Sequence, residues 1–316
     1  MPSISVQMVV GERTVYGAQL LRTALECMLT TSTVGYAKEF VIVDNDMGYD
    51  ARRVVDDTLG DFPHTVVSMP GEQPFAALRN AAFAATGEGI TTVHWYDSDE
   101  AYRPETLKAV YEAVEEHPEA AVRVQFYHFL PDPKHYQFIE PRVAIFPFHK
   151  GLHWEGSVHE HLVGLPDTDV DLTRFPELSY FHFGYTKQQV LLTIRWVHYA
   201  VLEEGNANRY VESEEMDHVV RPYFREDRMP DQVIDDRVRI AKPFDLKRQG
   251  PYPEPVWRNL LLPWDMSGLP WPAYVASLDP GYAASLTWWK RQVAGGRATW
   301  RDWIDTLVHE TWWRNC

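Results

Sequence analysis

Arg79-Asn80-Ala81-Ala82-Phe83-Ala84-Ala85-Thr86-Gly87-Glu88-Gly89-Ile90-Thr91-Thr92-Val93-His94-Trp95-Tyr96-Asp97-Ser98-Asp99-Glu100 is the stretch on which the fold turns. Its opening belongs to an Ala-rich run, Pro74 to Thr86, that reads as a helix ending near Gly87. Thr91 to Tyr96 reads as a strand and delivers Asp97-Ser98-Asp99-Glu100 at its carboxyl end. Two carboxylates one residue apart at a strand end can turn oxygen atoms toward one divalent cation, because Mg2+ and Mn2+ take hard oxygen ligands. The other reading of the same residues is a solvated turn.

Upstream, Ile4 to Val10 is a Val- and Ile-rich strand broken by Gly11-Glu12-Arg13. Leu20, Leu21, Ala24, Leu25 and Met28 then recur at helical spacing. Glu39 to Val43 is a short apolar strand running into Asp44-Asn45-Asp46, Asp50 to Leu59 a helix, and His64 to Met69 a third strand. Downstream, Pro104 opens a helix with Leu107, Val110, Tyr111 and Val114 on one face, and Pro118 stops it. Ala121 to Phe126 and Arg142 to Phe146 are further strands. This alternation predicts an α/β fold, a mixed, mostly parallel sheet with helices on both faces. Such sheets bind ligands beyond the carboxyl ends of their strands, where Asp44 and Asp97 both fall.

From Lys187 the texture changes, and a mainly helical extension is expected over 187–316. Val190, Leu191, Ile194, Val197, His198, Val201 and Leu202 predict a long amphipathic helix carrying Arg195. Residues 250–283, rich in Pro and aromatics, read as an irregular packed segment. Thr287 to Trp313 reads as helical, with Trp288, Trp289, Trp300, Trp303, Ile304 and Leu307. The late tryptophans, Trp312 and Trp313 among them, are either core of this appendage or a sugar-stacking or homodimer surface.

Composition narrows the classes. The 316 residues are 45% hydrophobic and 24% charged, as in ordinary globular proteins, so disorder is not expected. A formal net charge of -15 disfavours nucleic acid as a partner, including a modified base in DNA as acceptor. Cys27 and Cys316 form neither a metal pattern nor a disulfide framework and suit a reducing cytoplasm; Cys27 reads as a small buried hydrophobe. Met1 to Val10 lacks the shape of a signal peptide, and no run approaches the ~18 apolar residues of a membrane span. His153, His159 and His161 have no H-E-x-x-H helix or cysteine partner, so zinc is not expected. No P-loop, no G-x-G-x-x-G after the first strand and no G-x-S-x-G occur, which removes the main support for a kinase, a dinucleotide dehydrogenase or an α/β-hydrolase.

Two later blocks complete the pattern: Trp154-Glu155-Gly156-Ser157-Val158-His159-Glu160 and His182-Phe183-Gly184-Tyr185. With the Arg79–Glu100 string, their order resembles family 2 glycosyltransferases of the GT-A fold, in the branch carrying W-x-G-x-V-H-E followed by H-x-G-Y. The resemblance runs from residue 4 to about residue 205 and implies a GT-A-like catalytic domain over 1–186. It implies a nucleotide-diphosphate sugar donor, a UDP-sugar first among them, with Mn2+ or Mg2+ and inversion at the anomeric carbon. Carried over by position, Asp44 contacts the base or ribose, Arg79 the nucleotide or its phosphates, and Asp97 the ribose or a metal-bound water. Asp99 ligates the metal with His182 as a further ligand, Glu12 touches the nucleotide, and Glu160 is the general base.

Gly11 precedes Glu12 where the family commonly has Asn, and Asp44-Asn45-Asp46 replaces Asp-x-Gly-Ser, so base preference is open. Glu160 can instead pair with an arginine or cap a helix, with His159 packed so as to orient it, and His182 can be a satisfied core histidine. A nucleotidyltransferase on the same scaffold and a non-catalytic nucleotide- or carbohydrate-binding protein are the rival functions, and the acceptor is unassigned.

Overall fold

The computed structural model describes residues 2–29, 35–71, 73–157, 160–188, 240–298 and 302. The chain forms the mixed, mostly parallel sheet that the alternation predicts. Its centre is β1 (Ile4–Val10), flanked by β2 (Ala37–Asp44) and β4 (Thr92–Trp95), with β3 (His64–Ser68) beyond β2; all four run parallel. Beyond β4 the direction reverses into β7 (His135–Pro147), which forms a long antiparallel hairpin with β6 (Ala121–Phe129). β11 (Tyr180–His182) runs parallel to β6, and the two-residue strand β5 (Glu100–Ala101) closes this edge against β11. β10 (Asp169–Asp171) joins β6 and β12 (Lys242–Pro243) joins β7. β8 (His153–Glu155) and β9 (His161–Val163) make a separate ribbon.

Residue alternation along β2 shows why helices cover both faces. Phe40 and Ile42 pack into the core shared with α1 (Val15–Met28), α2 (Tyr49–Leu59) and α4 (Pro104–Glu116). Val41 and Val43 point the other way, into the core under α3 (Phe75–Ala84) with Val93 and Trp95. The apolar stripes read at helical spacing in Leu20–Met28 and Leu107–Val114 are the faces that α1 and α4 bury.

β6 and β7 are longer than their apolar runs suggested, reaching Phe129 and starting at His135. Each satisfies the other's backbone, so pairing extends past the hydrophobic residues into polar positions such as Glu140.

The segment 250–283, expected to be irregular, is helical. α5 (Leu246–Gln249) precedes α6 (Glu254–Val256), which continues through a wide turn, Trp257–Leu261, into α7 (Leu262–Ser267); α8 (Trp271–Leu278) and α9 (Pro280–Ala294) follow. Pro255, Pro263 and Pro272 lie in first turns, where a helix makes no use of the missing N–H, so they start helices rather than break them.

These helices share a second core with the sheet. Tyr16, Leu20 and Cys27 on α1 meet Phe129, Phe181, Phe183 and Phe244 from the sheet side and Val256, Leu260, Trp271 and Val275 from the helices. Trp271 and Trp289 are buried while Trp288 is half exposed. The expected helix over Val190–Leu202 with Arg195, and Trp300, Trp303, Ile304, Leu307, Trp312 and Trp313, lie outside the described residues. Among the described residues no helix is long and apolar enough to cross a membrane.

Buried Arg103 fastens the seam. Its guanidinium donates to the carbonyls of Pro251 (2.8 Å), Gln249 (2.6 Å), Glu177 (3.0 Å) and Ser179 (3.5 Å) and lies 4.6 Å from the Phe181 ring centroid. Arg103→Met leaves these carbonyls without their charged donor. It is expected to lower stability by about 2–3 kcal/mol, read as a reduced urea midpoint at unchanged slope.

Candidate active site

The carboxyl end of β4 is held rigidly. Tyr96 hydroxyl reaches the Ala24 carbonyl at 3.1 Å and the Glu100 carbonyl at 2.8 Å, tying the turn after β4 to α1. Asp97 and Asp99 leave this turn in different directions and enter two charge clusters.

The first cluster surrounds Asp99, whose side chain is only 3% exposed. The β5–β11 pairing sets His182 opposite Glu100, which brings His182 Nε2 within 3.3 Å of Asp99 Oδ1. The Phe183 amide donates to the Asp99 carbonyl at 2.8 Å, fixing the next turn against the carboxylate. Lys187 follows on that turn. Its ammonium pairs with Glu12 and stands 3.9 Å from Asp99 Oδ2. Glu12, buried, also receives Ser98 Oγ at 3.4 Å. Glu12, Asp99 and His182 are thus brought together, with Lys187 between two of them.

Gly184 makes this approach possible. A Cβ there would lie 2.6 Å from Asp99 Oδ2 and 2.8 Å from the His182 ring. Gly184→Ala must push both groups aside and is expected to lower stability by about 1–3 kcal/mol, checked by urea unfolding.

The second cluster is built on Asp97. It accepts Trp95 Nε1 and Arg142 Nη1, each at 2.9 Å. The same Arg142 nitrogen pairs with Glu100, which is fully buried and accepts the Asp97 amide at 3.2 Å. Burial pushes the Glu100 carboxyl up to about 8, and the charges of Asp97 and Asp99 reinforce this against Arg142. Burial alone would also raise Asp97, but Arg142 and Arg79 together outweigh it and hold that carboxyl below its ordinary range. One carboxylate is kept charged beside another that holds a proton readily.

Arg79 stands beside this cluster, 4.0 Å from the Trp95 ring centroid and 4.5 Å from that of Trp154, and it pairs with Glu160. Burial lowers the Arg79 pKa, with Asp97 and Glu160 opposing. The alternative read for Glu160, an ion pair with an arginine, is therefore formed, and its partner is another expected site residue. Asn80, next in the string, grips Trp154 by both backbone groups, at 2.9 Å and 2.8 Å, and so positions β8. His159 lies outside the described residues.

Asp44 stands apart, two strands from β4 in the order β2-β1-β4. It is buried, accepts the Met47 amide at 2.7 Å and pairs with Arg52. Neighbouring Asp46 takes the left-handed conformation (φ 63°) and pairs with Arg13 at 3.0 Å.

Sequence reasoning missed Arg142, Lys187 and the caged position of Arg79. The one available signal for Arg142 was a lone arginine entering the apolar run Val143 to Phe146, and for Lys187 its position two residues after His182-Phe183-Gly184-Tyr185.

Among the described residues no three His, Cys, Asp or Glu side chains gather as a metal cage. Asp99 and His182 form a two-donor set with O and N 3.3 Å apart, a spacing both can span to one ion. Mg2+-type sites commonly draw one or two ligands from protein and the rest from substrate phosphate and water, so this pair fits such a cation.

Several comparisons bear on this arrangement. No curated protein matches the chain. Among solved structures, S. aureus TarS 1-349 in complex with UDP-GlcNAc is 20% identical with a TM-score of 0.33, over 39% of this chain and 34% of that one. S. aureus TarS 1-349 is 12% identical with a TM-score of 0.39, over 71% and 76%. S. aureus TarS is 13% identical with a TM-score of 0.39, over 90% and 54%. The chain thus spans about a third of the first of these structures. Residues 14–164, just under half of the chain, match the family described as Glycosyl transferase family 2. Asp44, Arg79, Asp97, Asp99 and Glu160 fall inside that match, and Glu12, His182 and Lys187 outside it. The matched segment, Thr14 to Gly164, carries the β4 carboxyl end and both of its aspartates.

Proposed function

We propose that this chain transfers a sugar from a nucleotide-diphosphate donor to a hydroxyl acceptor, with inversion. The observation that carries the proposal is the pair of charge clusters at the carboxyl end of β4, whose aspartates Asp97 and Asp99 lie in the segment that matches Glycosyl transferase family 2. Asp99 and His182 would hold Mn2+ or Mg2+, which when bound neutralises charge on the leaving diphosphate. Asp44 at the end of β2 takes the base or ribose, a UDP-sugar being the first donor to test. Glu12 stays close to the nucleotide through Lys187. Arg79 and Asp97 line the donor between the two clusters. Arg79 Nε and Nη1 are buried without a hydrogen-bond partner among the described residues, which leaves donors of this cation unspent while it pairs with Glu160.

In the transfer, an acceptor oxygen forms a bond to the anomeric carbon as the bond from that carbon to the diphosphate oxygen breaks. Glu160 takes the acceptor proton, and the nucleoside diphosphate leaves with the bonding electrons. One displacement inverts the carbon. A nucleotidyltransferase would need free basic groups at the first turn, whereas Arg13 there is engaged by Asp46.

The test is nucleoside diphosphate release from UDP-, GDP-, dTDP- and CDP-sugars, with Mn2+, Mg2+ or EDTA, beside Asp99→Asn. Metal-dependent release from one donor that Asp99→Asn loses is the expected result. Silence from every donor, with no thermal shift from any nucleotide, would sink the proposal and favour a protein without turnover.

A further inference from the structure

We propose that Lys187 is a phosphate-binding residue, the protein's own cation for the diphosphate of the donor; this rests on the donor-site reading above. The ammonium lies 3.9 Å from Asp99 Oδ2 and pairs with Glu12, on a side chain only 10% exposed. It is thus buried beside the carboxylate proposed to face the diphosphate. An ammonium has three N–H donors and no acceptor. Glu12 can keep one of them while a phosphate oxygen takes another, so no ion pair has to break for the donor to enter.

Apart from Arg79, which pairs with Glu160 between Trp95 and Trp154, the other cationic features around the site are engaged elsewhere. Arg142 serves Asp97 and Glu100, Arg52 serves Asp44, Arg13 serves Asp46, and Arg103 serves four carbonyls. The amino end of α1, where an α/β fold offers amides to an anion, is closed as well. Asp279 accepts the Val15 and Tyr16 amides at 2.9 Å and 3.2 Å, and Thr14 accepts those of Gly17 and Ala18.

Lys187 is also held where it is. On one side Thr186 is clamped by Tyr16 hydroxyl (2.6 Å) and by Trp271 Nε1, which donates to its carbonyl at 2.9 Å. On the other, Gln188 Nε2 donates to the Asp279 carbonyl at 3.0 Å. Residues of and beside α8 therefore set the backbone from which Lys187 reaches inward. A salt bridge kept only to neutralise Glu12 would not account for the placement of Lys187 beside Asp99 as well.

The test is calorimetric titration of the full chain with UDP and GDP, and with uridine and guanosine, in Mn2+ and in EDTA. Lys187→Met is expected to weaken the nucleoside diphosphate about 10- to 100-fold, the size of one lost charged hydrogen bond, with nucleoside affinity unchanged. Because that variant leaves Glu12 buried and unpaired, Glu12→Gln/Lys187→Met is measured beside it and should show the same loss. Parental affinity in the double variant, or an equal loss for nucleoside and diphosphate, overturns the assignment and leaves Lys187 a structural partner of Glu12. A parent chain that binds no nucleoside diphosphate in either medium removes the donor site itself, a result distinct from a parent that binds and a variant that does not differ.

Discussion

Glu160→Gln should reduce kcat about 10²- to 10⁴-fold, the usual contribution of a positioned base, while nucleoside diphosphate affinity changes by less than about threefold. The substitution suits the site. Glu160 is 9% exposed and bonded to Arg79, and glutamine has the same length and still presents an oxygen to that guanidinium. What it loses is the ability to accept a proton. If Glu160 served only to hold Arg79 between Trp95 and Trp154, the outcome would invert: affinity would fall and the chemical step would hardly change.

Arg142→Met should be the most destabilising single change among the site residues, by about 3–5 kcal/mol, the scale for removing one partner of a buried ion pair. One Arg142 nitrogen serves both Asp97 and Glu100, so its loss strands two carboxyl groups. Glu100 can escape by keeping a proton, since its pKa is already about 8 against an ordinary 4.5. A carboxyl raised in the folded state contributes full stability below its unfolded pKa and loses it as pH rises through the folded value. Parent and variant both keep Glu100 protonated at lower pH, and only the parent, with Arg142 in place, ionises it as pH rises through about 8, so the deficit of Arg142→Met should widen from about pH 7 to about pH 9. Urea unfolding at the two pH values checks the sign; an equal deficit at both would place the effect on Asp97 and on packing instead.

The first half of the chain was legible because its signals are local. Ile4–Val10, Leu20–Met28 and Leu107–Val114 advertise their periods, and Asp97 and Asp99 follow a strand so short that its carboxyl end is unambiguous. The partners of those aspartates were illegible because pairing is a property of the sheet. Arg142 meets Asp97 only because β7 reverses beside β4, and His182 meets Asp99 only because β5 pairs with β11. The prolines of 250–283 misled for a related reason: a proline starts or stops a helix according to its position in the turn. Composition reports the residue and not the position.

The Asp279 carboxylate on the first amides of α1 has a consequence for the order of events during synthesis. α1 is made well before α8, yet its amino end is completed by a residue 264 positions after Val15. A nascent chain holding only the sheet would carry α1 with open amides and the flank of Tyr16, Leu20 and Cys27 uncovered. Contacts of such long separation form late and slowly. The emerging amino-terminal half should thus be a substrate for chaperones that bind exposed aromatic surface, and should be released from them only once α8 has been translated.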